Sequence, residues 1–243
     1  MRVLQLSLAL TVLAWVLAWQ ATRRLPEPAA INPQLLVEPQ QRETGKPNFQ
    51  FDYRGIGYEV HPMASYDLYG LVVSHNDILG ISDMYHDKDS LDTKDLCVIW
   101  GDNVTRPDYR RASYDSTAHW CFASWPAGTQ LDMTKMSNNH LVTDRDDLRR
   151  TLDGVHVGDQ VHFRGWLVAY RDLRHPEYWR TSSMVRTDSG DGACEVVFFD
   201  ELEVLARNAP SAHVLKRRLP FLAGLLVLAI LIVAVTTEPS ART

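Results

Sequence analysis

Cysteine is scarce in this 243-residue chain, which holds only Cys97, Cys121 and Cys194. Three cysteines are too few for a disulfide-built scaffold, and none of them forms the C-x-x-C pair that zinc favours. Nine histidines are present, yet none has H-E-x-x-H spacing. Asp77, Asp83, Asp87, Asp89, Asp92 and Asp95 cluster in sequence, but they miss the D-x-[DN]-x-[DN]-G spacing of a calcium loop and read as a solvated acidic loop. Asp188 with Asp191 and Glu195 is a weaker version of the same pattern. No metal and no cofactor is therefore expected. Basic charge is also missing from the middle of the chain. Residues 25–215 hold 18 Lys+Arg against 29 Asp+Glu, a net of −11, while the remaining residues hold 7 against 1, a net of +6. A segment this acidic is a poor non-specific ligand for nucleic acid, which is excluded as a partner.

What the middle lacks in hydrophobicity, the ends supply. Val3–Trp19 is seventeen residues without a charge, about 26 Å as a helix against a hydrocarbon core of about 30 Å. It reads as an uncleaved signal anchor, with a cleaved signal peptide as the alternative. Leu219–Val235 is a second run, preceded by Lys216, Arg217 and Arg218, and Pro220 sits near its start, where a missing N–H costs little. The resulting division is 1–20 signal anchor or signal peptide, 21–50 proline-rich linker, 51–208 acidic β-rich domain, 209–218 basic juxtamembrane segment, 219–236 transmembrane helix and 237–243 short tail. Pro26, Pro28, Pro33, Pro39 and Pro47 would keep the linker extended. Orientation has two readings. Arg23, Arg24 and Lys216–Arg218 flank the domain and would hold it in the cytoplasm, but that rule weakens for long translocated segments. The expectation taken here is an extracytoplasmic domain.

Within the domain, Tyr66–Ser74, Leu96–Trp100, Thr117–Ser124, Trp179–Arg186 and Cys194–Leu205 are rich in β-formers and bounded by turn residues. Val161, Phe163 and Leu167 fall on one strand face and Gln160, His162 and Arg164 on the other, with Gly165 marking a bend or a close backbone approach. Thr143 to Asp146 has capping-box spacing for a short helix that Gly154 would stop. The Gly158–Asp159 turn feeding a strand is common in small closed barrels. The fold class expected is therefore mainly β (or α+β), a small barrel-like domain of OB or SH3-like character with membrane helices at both ends.

Two pieces of chemistry can be assembled from residue types. Cys194, His140 and Asn139 are the three types used by cysteine hydrolases, although Cys194 also reads as a small buried core residue. Cys97 and Cys121, about 24 residues apart on two expected strands, could form a disulfide if their Cα atoms approach to about 4.4–6.8 Å. The alternative is two buried thiols.

The elements Tyr66–Leu68 with Leu71–Ser74, Asp95-Leu96…Trp100-Gly101, Ser137–Leu141, Gly158–Gly165 and Thr181–Glu195 occur in an order that resembles a family of uncharacterised bacterial proteins. Its Asn-His and Ser-Ser…Arg-x-Asp-x-Gly-x-Gly-Ala-Cys-Glu elements are the most specific. The resemblance covers about residues 55–205. It implies a signal sequence or membrane anchor, a tether and one extracytoplasmic domain, and no activity. The C-terminal hydrophobic segment and the Cys97/Cys121 pair depart from that pattern. From the same elements, Asn139, His140, Arg186, Asp188 and Glu195 are expected to converge, as a buried polar cluster or as a ligand pocket. The function expected is a membrane-anchored protein of the bacterial inner membrane, its domain in the periplasm, binding the lipid bilayer and another envelope protein. The competing readings are an envelope hydrolase using His140 with Cys194 or Glu195, and a cytoplasmic-facing OB-type binding module.

Overall fold

The structure is a computed structural model that describes residues 1–77, 91, 94–117, 120–185, 188 and 193–237. Its longest strand, β3 (Ile56–Asp77), explains much of the rest. Ile56, Tyr58 and Val60 are buried in one apolar cluster, while Ala64, Tyr66 and Leu68 are buried in another. These are all even-numbered positions, so the strand must change faces between them. It does so at a register shift between Pro62 and Ala64. Pro62 has no N–H to give a ladder, and one extra residue beside it turns every following side chain to the opposite face.

The other strands are β1 (Gln40–Glu43), β2 (Phe49–Tyr53), β4 (Lys94–Ile99), β5 (Ser113–Ser116), β6 (Cys121–Ser124), β7 (Met136–Val142), β8 (Gln160–Asp172), β9 (Arg180–Thr181) and β10 (Glu195–Ala206). The large sheet runs β1-β3-β4-β7-β10-β8-β9, with β2 on β3 and an additional β3–β8 pairing. Following partners from β3 through β4, β7, β10 and β8 therefore leads back to β3. Only β7 and β10 are parallel; the other four contacts in that circuit are antiparallel. The face shared by these five strands carries the main core, including Leu68, Leu96, Leu141, Phe163 and Phe199. Helix α2 (Asp146–Asp153), between β7 and β8, adds Leu148 and Leu152 to it. The protein is thus mixed α/β with one large sheet. The helix starts later than the capping-box spacing implies. Arg145 is its N-cap, and the Thr143 hydroxyl accepts the Arg145 N–H at 3.3 Å.

Two corners lock the circuit. Gly158, at φ +85°, donates its N–H to Val72 O at 2.7 Å. Beside it, the buried Asp159 carboxylate accepts from His156 N (3.0 Å), Asn208 N (2.7 Å) and Arg207 Nη1 (3.0 Å). Gly165 marks a close approach, because a Cβ there would stand 2.0 Å from Phe198 O on β10.

Most of the expected linker 21–50, from Leu25 onward, is not a free tether. Leu25–Asn208 form one compact unit. Prolines start two short 3₁₀ turns, Pro28–Ala30 and Pro33–Leu36, and Leu35 is fully buried. Gln160 clamps them by accepting Asn32 N at 2.6 Å and donating to Ala30 O at 2.9 Å. Strand β1 then pairs with β3. Proline density here sets φ for turns that dock rather than for an extended spacer.

The second unit contains α1 (Arg2–Ala21) and α3 (Pro210–Thr237). Both are long and apolar enough to cross a membrane, with mean hydropathy 1.7 and 2.8. The basic segment 209–218 is already helical from Pro210, which places Pro220 inside α3 rather than in its first turn.

Candidate functional site

Strands β4, β7 and β10 lie side by side, and their register fixes which side chains meet. Asp95 faces His140 and Cys97 faces Asn138 across the antiparallel β4–β7 pair. Val196 lies beside His140 and Glu195 beside Asn139 across the parallel β7–β10 pair. Side chains alternate, so Asp95, Cys97, Asn138, His140 and Val196 share one face. Leu96, Asn139, Leu141, Glu195 and Val197 share the other. Cys194, two residues before Val196, belongs with the first group: Asn138 Nδ2 lies 3.5 Å from its Sγ.

His140 Nδ1 is 2.7 Å from Asp95 Oδ1, and both residues are buried, at 3% and 0% exposure. Burial opposes a charge on the ring. The Asp95 carboxylate, by its charge and its hydrogen bond, together with a hydrogen bond to Cys194, overcomes this and the nearby Arg180 charge, raising the His140 pKa to about 9. With Nδ1 committed to Asp95, Nε2 is the ring nitrogen left for proton exchange. The result is a carboxylate, an imidazole and a thiol in sequence, with a carboxamide beside the thiol. Cys194 is half-buried and outside the disulfide.

The loop before β10 is stitched to this site. Ser183 N donates to Cys194 O at 2.9 Å, and Val196 N donates to Ser182 Oγ at 3.0 Å. Ser183 Oγ in turn donates to Asp188 Oδ2 at 2.5 Å. Cys97 and Cys121 are joined in a disulfide, with Cα atoms 5.9 Å apart, which ties the β5–β6 hairpin to β4 on this same face.

The expected cluster of Asn139, His140, Arg186, Asp188 and Glu195 is divided. His140 is on the site face. Asn139 and Glu195 are on the opposite face because they are one residue out of phase with it, and Asn139 Nδ2 is occupied by Ser137 Oγ at 2.8 Å and Leu96 O at 3.3 Å. Asp188 bonds Ser183 rather than the ring. Arg186 lies outside the described residues, as do Asp191 and the acidic-segment positions Asp83, Asp87, Asp89 and Asp92. Asp95 is not in a solvated loop; it is the first inward-held carboxylate of β4. Asp77 ends β3 and pairs with buried Lys94, whose Nζ also caps α2 through Asp153 O and Val155 O. Of the residues named for the hydrolase reading, His140 and Cys194 share this face with Asp95 and Asn138, while Asn139 and Glu195 do not. Asp95 and Asn138 both lie within elements of the resemblance, Asp95-Leu96…Trp100-Gly101 and Ser137–Leu141, but neither is singled out there as a site residue. Among the described residues, no group of three or more His, Cys, Asp or Glu side chains could hold a metal ion.

No family model matches this chain, and no curated protein or solved structure matches it.

Proposed function

We propose that the chain is a membrane-tethered binding module whose folded unit is a closed five-stranded barrel of the OB type, presented outside the cytoplasm to another envelope protein. One observation carries this reading: the circuit β3-β4-β7-β10-β8 with a single parallel contact, β7–β10, and α2 inserted between β7 and β8. In barrels of this type, ligands bind on the face of the second and third strands, flanked by the loops joining strands one to two and four to five. Here those strands are β4 and β7, and the second of those connections, from β8 to β10, contains β9. Tyr178, Trp179, Met184 and Val185 are each exposed in the second connection, large apolar side chains of the kind a protein partner covers. The net charge of −11 over residues 25–215 argues against a nucleic acid in that place. The Cys97–Cys121 bond supports an oxidising compartment, and the resemblance to exported bacterial proteins agrees.

The test is site-specific photocrosslinking of the full chain in intact membranes. A crosslinker at Val185 should capture one stoichiometric membrane-associated partner, while the same group at exposed Glu203 on β10 should not. Equal capture at both positions rejects the binding face. A reporter fused after Thr243 should be active only in the cytoplasm; activity only on export rejects the orientation.

A further inference from the structure

We propose that Cys194 is a nucleophile that accepts an acyl group from esters or thioesters with an apolar acyl chain, with His140 as its acid–base partner, Asp95 as the residue that positions His140, and Asn138 as the donor to the developing oxyanion. The proposal stands apart from the binding reading, since it requires no protein partner. Four side chains converge on it, from β4, β7 and the residue just before β10, and their roles follow from their contacts. Asp95 holds Nδ1 at 2.7 Å and fixes ring orientation from a fully buried position. His140 lies on the same face of β7 as Asn138, and a hydrogen bond with Cys194 contributes to its raised pKa. Asn138 is buried, with Nδ2 3.5 Å from the sulfur. A carbonyl carbon bonded to that sulfur would place its oxygen within reach of the same amide. The Asn138 Oδ1 has no hydrogen-bond partner among the described residues. Such an acceptor within a buried polar site calls for a donor from outside the chain, which the hydrolytic water rather than the acyl group would supply. The apolar preference comes from Met184 and Val185, 39% and 58% exposed, just past Ser183, whose N–H is bonded to Cys194 O.

The reaction balances with one proton shared between sulfur and ring. Asp95 keeps that proton on His140; the charged groups acting on the ring are Asp95 from β4 and Arg180 from β9, and Cys194 acts on it through a hydrogen bond. Sulfur attacks the acyl carbon and forms the C–S bond. The bond to the leaving oxygen or sulfur breaks as His140 gives its proton to that atom, releasing an alcohol or a thiol. Water then attacks the thioester and passes a proton to His140. The C–S bond breaks, and a carboxylic acid leaves with sulfur and ring as they began.

The disulfide makes the test clean, because Cys194 is the one cysteine left to react. The full chain in detergent is exposed to 4-nitrophenyl hexanoate and analysed by intact mass. A hexanoyl adduct on Cys194 is expected, with nitrophenol release at least 100-fold above that of Cys194→Ser. Asn138→Ala should lower the acylation rate about tenfold or more while leaving iodoacetamide labelling within about threefold. Asp95→Asn should slow acylation at least tenfold and lower the His140 pKa, read by NMR titration of the ring. Nitrophenol release equal to that of Cys194→Ser overturns the proposal. If Asp95→Asn fails to fold, Asn138→Ala decides: an unchanged acylation rate overturns the proposal, and a loss confined to acylation supports it.

Discussion

Asp95 and Asp159 are equally hidden, at 0% and 1% exposure, and are held in opposite ways. Asp159 takes two backbone N–H groups and the Arg207 guanidinium, donors whose charge is constant over ordinary pH. It closes the corner between β8 and the end of the folded unit. Asp95 instead bonds an imidazole that can gain or lose its proton, and that imidazole bonds a thiol. Burial therefore does not separate a structural carboxylate from a functional one. The titration behaviour of the partner does, since only the second arrangement can respond to a proton.

The largest effect expected falls on the structural member. Asp159→Ala removes the acceptor of three hydrogen bonds and leaves His156 N and Asn208 N without it, a loss of about 4 kcal/mol. Urea unfolding of the full chain in detergent, followed by tryptophan fluorescence, measures it. That loss should be the same at pH 6 and pH 9, because none of the partners titrates between them. A strongly pH-dependent loss would break the contrast between the two carboxylates.

The next effect belongs to the titrating member. The folded pKa of His140, about 9, lies above its unfolded value of about 6.5. The folded state thus binds the extra proton, and its stabilisation is complete below about pH 6.5 and disappears as pH rises through about 9. The span is on the order of 3 kcal/mol. Asp95→Asn removes the charge that raises this pKa and leaves burial and Arg180, which lower it. The decline in stability between pH 6.5 and 9 should then vanish or reverse. A wild-type profile that is flat over this window would remove the distinction between Asp95 and Asp159.

Much of this contrast could not be read from the chain. The terminal helices, β4, β8 and β10 are legible because uninterrupted hydropathy or strict alternation marks them, and Gly154 and Gly158 mark their boundaries. Strand β7 is not, because four of its buried positions are Ser137, Asn138, Asn139 and His140. Its burial is compensated by hydrogen bonds rather than announced by apolar side chains. The first half of β3 is hidden by Pro62, which reads as a break although it acts as a bulge. Cys194 and His140 stand out by residue type. Their third partner does not, because a strand places sequence neighbours on opposite faces. Asn139 adjoins His140 in the chain but not in space, whereas Asp95 is 45 residues away and directly opposite it.

The smallest effect expected sharpens the comparison most. Cys194 is half-buried and contributes little packing, so Cys194→Ser should change unfolding free energy by less than about 1 kcal/mol at pH 7. Its hydrogen bond nevertheless raises the His140 pKa. Losing part of it should move the midpoint of the alkaline stability decline to lower pH, and NMR titration of the ring measures the same shift directly. Asp159→Ala should leave that titration where it is. A thiol coupled to the His140 proton without serving stability belongs to a site, whereas an unchanged midpoint in Cys194→Ser would return Asp95–His140 to the structural class that Asp159 represents.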